Sequence, residues 1–270
     1  MCNTATMQEY ASFYSRKART LNLLIYLTDT TKMQQFSLSA NIEEGLSKNF
    51  QYIVTPNARD VASGLVDGYR TGIHSFTIIG SYGTGKSSFL LALEKDLQSK
   101  GSYSLLNPQT LSANAKFDVL KIVGDYKDLV SLMRDKLSVD GTADNVLDRL
   151  REIYNQAKKQ GKFLVIFIDE FGKVLEHAAK NNPEQELYFM QKLAEFVNVS
   201  TRQILLVTTL HQNFSAYARK LSTLQKEEWT KVKGRFKELV FIEPVEQLLY
   251  LASTQLNAKN DVGVNAESME

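Results

Sequence analysis

The chain of 270 residues holds a single cysteine, Cys2, so no disulfide can close within it, and this usage suits a reducing compartment. Its three histidines, His74, His177 and His211, show no metal-ligand spacing with each other or with Cys2, which argues against a zinc-type site. Charge of one sign is scarce: 32 Lys and Arg against 30 Asp and Glu leave +2, too little to argue by itself for a nucleic-acid partner. Long hydrophobic runs are absent too. A stretch such as 163–168 is far below the roughly 20 apolar residues that a membrane-spanning helix needs. Arg16, Lys17 and Arg19 ahead of 21–27 resemble the start of a secretion signal, but Asn22 interrupts the run and no small-residue cleavage site follows, so a cytoplasmic protein is expected. No internal repeat or low-complexity segment occurs. With 43% hydrophobic and 23% charged residues the composition is that of a globular protein with a sizeable core, and the length suits one large α/β domain with a small appendage.

One stretch stands out. Gly80, Ser81, Tyr82, Gly83, Thr84, Gly85, Lys86 and Ser87 read G-x-x-x-x-G-K-S, the pattern of a phosphate-cradling P-loop. Chance alone puts that pattern in about one chain of this length in a hundred, so the flanks decide. Residues 73–79 are apolar and β-branched and read as a buried strand. Residues 87–97 are strong helix formers with Phe89, Leu90, Leu93 and Leu97 at helical spacing, and Gly101 is placed to end that helix. A strand–loop–helix context is what the motif's chemistry requires. The glycines let the backbone wrap a polyphosphate, and backbone N–H groups at a helix N-terminus supply fixed positive charge. Lys86 adds a mobile ammonium for the β- and γ-phosphates, Ser87 a hydroxyl for Mg²⁺, and Ser88 closes the loop.

The remaining pattern alternates. Residues 51–54 form a candidate short strand closed by Thr55-Pro56, and Asn57 reads as the N-cap of a helix over 58–69. Residues 116–123 suggest a second buried strand ending at Gly124, followed by helices over 126–137 and 145–159, the latter ended by Gly161. Residues 163–168 are six apolar residues without alternation, the mark of a central strand buried on both faces. Asp169 and Glu170 sit at its C-terminal end, where open α/β sheets place ligands. In this Walker B arrangement Asp169 binds Mg²⁺ and Glu170 orients or deprotonates the attacking water. A helix over 184–197 and a buried strand over 204–210 follow. That strand ends in Thr208, Thr209 and His211; a hydroxyl there either touches the γ-phosphate or its water, or satisfies local backbone groups, and both readings stand. Residues 219–237 are locally basic, which reads either as a solvated helix face or as a nucleic-acid or phosphate contact. A strand over 238–242 precedes Pro244, which suits the first turn of a helix over 245–256; 10–27 reads as one helix or, over 21–27, as a strand, and 258–270 as a frayed tail.

The order of strands, with the P-loop after the first and Asp169-Glu170 after the third, resembles the ATPase core of AAA+ proteins, in the class with an additional strand between the two Walker strands. The resemblance covers about residues 50–256. It implies a three-layer P-loop core with a mostly parallel central sheet flanked by helices. It also implies ATP and Mg²⁺ as cofactors, Thr208–His211 as a sensor segment with Thr209 catalytic, and segment 29–71 near the adenine. Gly234-Arg235-Phe236 resembles the arginine-finger position, which faces a neighbouring subunit's nucleotide. Leu210 to Phe214 and Glu228 to Phe236 are similar to ATP-binding proteins of prokaryotic defence loci, and to the initiator and signalling-switch branches of the class. The family adds a helical lid with a sensor arginine; no arginine follows Arg235 here, so a reduced or missing lid, or a longer protein, is expected. The expected division is an extension over 1–50, the core over 51–243 and a lid start with tail over 244–270. The function so implied is ATP hydrolysis coupled to action on a macromolecule, DNA or a DNA-bound complex first, with self-association; the alternative is a non-motor switch or regulatory subunit.

Overall fold

In the computed structural model, residues 40–44, 52–99, 102–199 and 201–243 are described. Five strands lie in one parallel sheet: β1 (Ser75–Ile79), β2 (Phe117–Val123), β3 (Phe163–Asp169), β4 (Ile204–Leu210) and β5 (Lys237–Val240), in the order β2-β3-β4-β1-β5. Helix α1 (Pro56–Arg70) precedes β1; parallel neighbours need crossovers, and helices supply them: α2 (Lys86–Gln98), α3 (Leu129–Leu137), α4 (Ala143–Lys159), α5 (Phe171–Lys180), α6 (Pro183–Val197), α7 (Phe214–Tyr217) and α8 (Thr223–Lys233).

Side-chain alternation in β3 divides the core in two. Leu164, Ile166 and Ile168 join Ile204 and Leu206 against α3 to α6 and α8. Phe163, Val165 and Phe167 join Leu205, Val207, Phe76 and Ile78 against α1 and α2. Every residue of β3 and β4 is buried, which explains why neither strand alternates in sequence: each face meets a helical layer. The expected three-layer α/β architecture with a mostly parallel sheet is therefore present.

Several local expectations are corrected. The cap of α1 is Thr55, whose hydroxyl accepts from the Ala58 N–H at 3.1 Å, with Pro56 in the first helical turn; Asn57 lies inside the helix. A proline at N1 lacks only an N–H that the helix would leave unpaired, so the cap falls before it rather than after. Residues 52–54 carry no strand. Helix α3 begins at Leu129 because the Asp128 carboxylate accepts from the Ser131 N–H at 2.7 Å and caps it there. Helix α4 begins at Ala143, two residues early, behind the Thr142–Asn145 capping box. β1 starts at Ser75 and β5 spans Lys237–Val240. β2 is half-buried because it is the sheet's edge rather than an interior strand. Gly161, at φ 66°, follows the end of α4 as expected. The expected helices over 10–27 and 245–256, the glycine stop at 101, and the divisions near 50 and 244 lie outside the described residues.

At the N-terminal edge of the sheet one side chain ties three elements. Asn198, the C-cap of α6, accepts from the His74 and Ser75 N–H groups at 2.8 and 3.0 Å and donates to the Ser75 hydroxyl at 2.7 Å and the Arg235 carbonyl at 3.0 Å. This bond set fixes the starts of β1 and β5 relative to α6, and with them the level at which β1 delivers the loop that follows it.

Candidate nucleotide site

The parallel sheet brings its C-terminal ends to one edge. β1 leads into Gly80–Ser87 there, held by the Gly80 N–H donating to the Leu210 carbonyl at 3.0 Å and the Phe241 N–H to the Ile79 carbonyl at 2.7 Å. The loop turns into α2 at Gly85, whose φ of 91° lies in the left-handed region that a side chain disfavours. Lys86, Ser87 and Ser88 form the first turn of α2, so the free N–H groups of a 13-residue helix open toward the loop. The Lys86 side chain is nearly enclosed, at 6% exposure, and its ammonium donates to the carbonyls of Gly80 at 2.6 Å and Ser81 at 2.8 Å. Burial pulls its pKa down, and the nearby Asp169 and Glu170 carboxylates oppose that pull.

Asp169 ends β3, and β4 lies between it and β1, so the strand order separates the two motifs by one strand. The register pairs Ile168 with Thr208 and Ile78 with Thr209. Thr209 therefore lies between the two motifs. Its hydroxyl donates to Asp169 Oδ1 at 2.5 Å and accepts from the Glu170 N–H at 2.9 Å. Thr208 turns to the other face, within 3.0 Å of the Thr77 hydroxyl and bonded to the Phe76 carbonyl. Of the two open readings of these threonines, Thr208 fits the backbone-satisfying one, and Thr209 holds the carboxylate end of β3. Glu170 caps α5 at φ 51° and ψ 32°, and its carboxylate is ion-paired with Lys173.

An aromatic stack joins the loop to the residue that follows β4. The Tyr82 ring lies on the His211 ring, centroids 3.4 Å apart and planes 23° from parallel, although Tyr82 is 72% exposed overall. Both His211 ring nitrogens are buried without a hydrogen-bond partner. Burial, with the Lys86 charge adding, lowers the His211 pKa. Tyr217 abuts Gly172 and the backbone of His211 and Gln212, and burial pushes its phenol up to about 12.

Gly80, Ser81, Tyr82, Gly83, Thr84, Gly85, Lys86, Ser87, Ser88, Asp169, Glu170 and Thr209 thus share one edge of the sheet. Arg235 does not join them. Its carbonyl accepts from the Ser75 hydroxyl at 2.6 Å, level with the start of β1, five residues and about 15 Å of strand from the loop. Its guanidinium meets Glu195 at 2.8 Å and the Lys231 carbonyl at 2.9 Å. Lys173 was missed by the sequence reading, as was the Tyr82–His211 stack. The signal for Lys173 was present: Phe171, Val174, Leu175 and Ala178 have helical spacing, which puts Lys173 one turn from Glu170.

A parallel α/β sheet with a phosphate-type loop after β1 and two carboxylates after β3, parted by β4, defines a P-loop ATPase fold with an additional central strand. The family model described as "ATPase family associated with various cellular activities (AAA)" matches residues 76–231, and the chain belongs to that family. No curated protein matches the chain. Among solved structures, it is similar to Aeropyrum pernix ORC2 in its ADPNP–ADP complexes, at 14% identity and TM-score 0.43 over 72% of this chain and 50% of that one. It is similar to C. elegans PCH-2, at 15% identity and TM-score 0.39 over 69% and 44%. It is also similar to Drosophila ORC bound to DNA, at 14% identity and TM-score 0.40 over 82% and 58%. The chain thus spans about half the length of these proteins. Among the described residues, no helix is long and apolar enough to cross a membrane.

Proposed function

We propose that the chain binds ATP at Gly80–Ser88 and hydrolyses it, and that the nucleotide state governs a macromolecular partner. The observation that carries this reading is the convergence of Lys86, Asp169, Glu170 and Thr209 at the C-terminal ends of adjacent strands. In this scheme Lys86 exchanges the Gly80 and Ser81 carbonyls for phosphate oxygens, which repay a buried ammonium with full charge rather than a partial dipole. Glu170 accepts the proton of the attacking water. Thr209 keeps Asp169 and the Glu170 main chain in register.

The residues present fit a magnesium ion. Mg²⁺ prefers oxygen donors and takes one or two from protein, the rest from phosphates and water. Both hydrogen bonds to the buried Asp169 carboxylate fall on Oδ1, and Ser87 lies in the first turn of α2. Ser87 and Asp169 would hold the ion, which would neutralise charge on the phosphates.

Arg235 is too far from its own loop to serve it, and this supports a role on a neighbouring subunit's γ-phosphate within a self-associated ring or larger complex. DNA or a DNA-bound complex is the partner we favour, in keeping with Arg219, Lys220 and Lys226, and a place in prokaryotic defence follows the motif resemblance. One observation favours the alternative, a nucleotide-dependent switch or regulatory subunit: within the basic stretch Lys231, Lys233 and Arg235 are ion-paired with Glu228, Glu238 and Glu195. ATP turnover with and without DNA, with mass measured in both nucleotide states, tests the choice. Stimulation by DNA supports the first reading; turnover indifferent to DNA, with assembly that follows the nucleotide, supports the second.

A further inference from the structure

We propose that Lys173 is a positioning residue for the Glu170 carboxylate. The inference rests on the reading of Glu170 as the group that activates water.

The main chain of Glu170 is pinned on every side. Its N–H donates to the Thr209 hydroxyl at 2.9 Å and to Asp169 Oδ1 at 3.0 Å. Its carbonyl accepts from the Lys173 N–H at 3.0 Å and lies so close to Gly124 that a Cβ there would come within 2.5 Å of it. Its φ of 51° is a left-handed conformation that a glutamate adopts only where its surroundings impose it. With the backbone held, the side-chain torsions are what remains to be set. Glutamate loses more rotamer freedom than most residues on being fixed, so an unpartnered carboxylate at this point would spread over several positions.

Among the described residues the cation in ion-pair contact with that carboxylate is Lys173, one helical turn along α5. Lys86 is engaged by the loop carbonyls instead. Besides Glu170, the charges of Asp125, just after β2, and of Tyr82 on the phosphate loop act on the Lys173 ammonium electrostatically. The Lys173 side chain is 44% exposed, and an ion pair with one wet end adds little to stability, although the Glu170 Oε2 that it meets is itself buried. Its removal is expected to leave the fold intact, which thermal melting checks, and so to isolate the effect on the carboxylate.

The experiment compares Lys173→Met and Lys173→Arg, each alone and combined with Glu170→Gln, by steady-state ATP turnover, binding of a fluorescent ATP analogue and thermal melting. We expect Lys173→Met to lower kcat about ten- to a hundredfold, the size of a modest misplacement of a reacting group, with KM, analogue affinity and melting unchanged. Lys173→Arg should restore most of the rate, and Lys173→Met should change nothing further in the Glu170→Gln background. Wild-type kcat in Lys173→Met, a loss carried in KM or analogue affinity, or an equal loss in the Glu170→Gln background would each overturn the proposal while leaving Glu170 in its role. Wild-type turnover by Glu170→Gln alone would instead remove the parent reading, and this inference with it.

Discussion

The Thr209 hydroxyl donates to Asp169 Oδ1 at 2.5 Å and accepts the Glu170 N–H at 2.9 Å, so one side chain of β4 holds both carboxylate residues at the end of β3. A single hydroxyl can do this because it is donor and acceptor at once, and because the sheet register places Thr209 level with Asp169 and one residue from Glu170. Thr209 is 1% exposed, so neither bond can be replaced by bulk water.

Thr209→Val keeps the β-branched shape and removes the hydroxyl. It removes both bonds and leaves the Glu170 N–H and Asp169 Oδ1 only each other as partners, a loss typically worth about 1.5–3 kcal/mol for a charged partner. We predict a fall in turnover of roughly 10- to 100-fold with ATP affinity near wild type, and near-normal turnover for Thr209→Ser. Parallel measurement of kcat and nucleotide affinity checks both.

Arg235→Ala should keep the fold and ATP binding and lose turnover, and lysine should rescue poorly because it lacks the planar fork. Mixing Arg235→Ala with Lys86→Ala subunits is the check. If the arginine acts across an interface, a site with intact Lys86 borrows Arg235 from its neighbour, and activity returns on mixing. No activity at any ratio, with assembly verified, counts against action in trans; full activity of Arg235→Ala alone removes the role.

Asn198→Ala should cost stability rather than chemistry. It deletes four hydrogen bonds at the starts of β1 and β5, two of them to backbone N–H groups. A loss of about 3 kcal/mol in urea unfolding is expected. An unchanged midpoint would show that the neighbouring backbone finds other partners.

The architecture was legible where the chemistry of one short segment decides the structure. Six apolar residues in 163–168 left a strand no exposed face, and Gly80 to Ser87 in its strand–helix context left little freedom for the loop. Helix starts were less legible: Pro56 and Asp128 shift the cap by two or three residues, because several neighbouring side chains could serve and tertiary fit chooses among them. The role of Thr209 against Thr208 depended on strand register, since a shift of one residue exchanges the two faces. Asn198 and the Tyr82–His211 stack join residues more than 100 positions apart, and no local pattern carries such contacts. Lys173 was the exception, a local signal within a helix left unread.

The central claim is that Lys86 and Glu170 drive the hydrolysis of ATP. Its most direct test is the rate of phosphate release from Mg²⁺-ATP by the wild-type chain, Lys86→Ala and Glu170→Gln, together with ATP affinity for each. The account predicts turnover by the wild type and loss of productive binding or turnover in Lys86→Ala. It predicts ATP retained but hydrolysis lowered about 10²–10⁴-fold in Glu170→Gln, the usual consequence of losing a general base. Wild-type rates in either variant would contradict it.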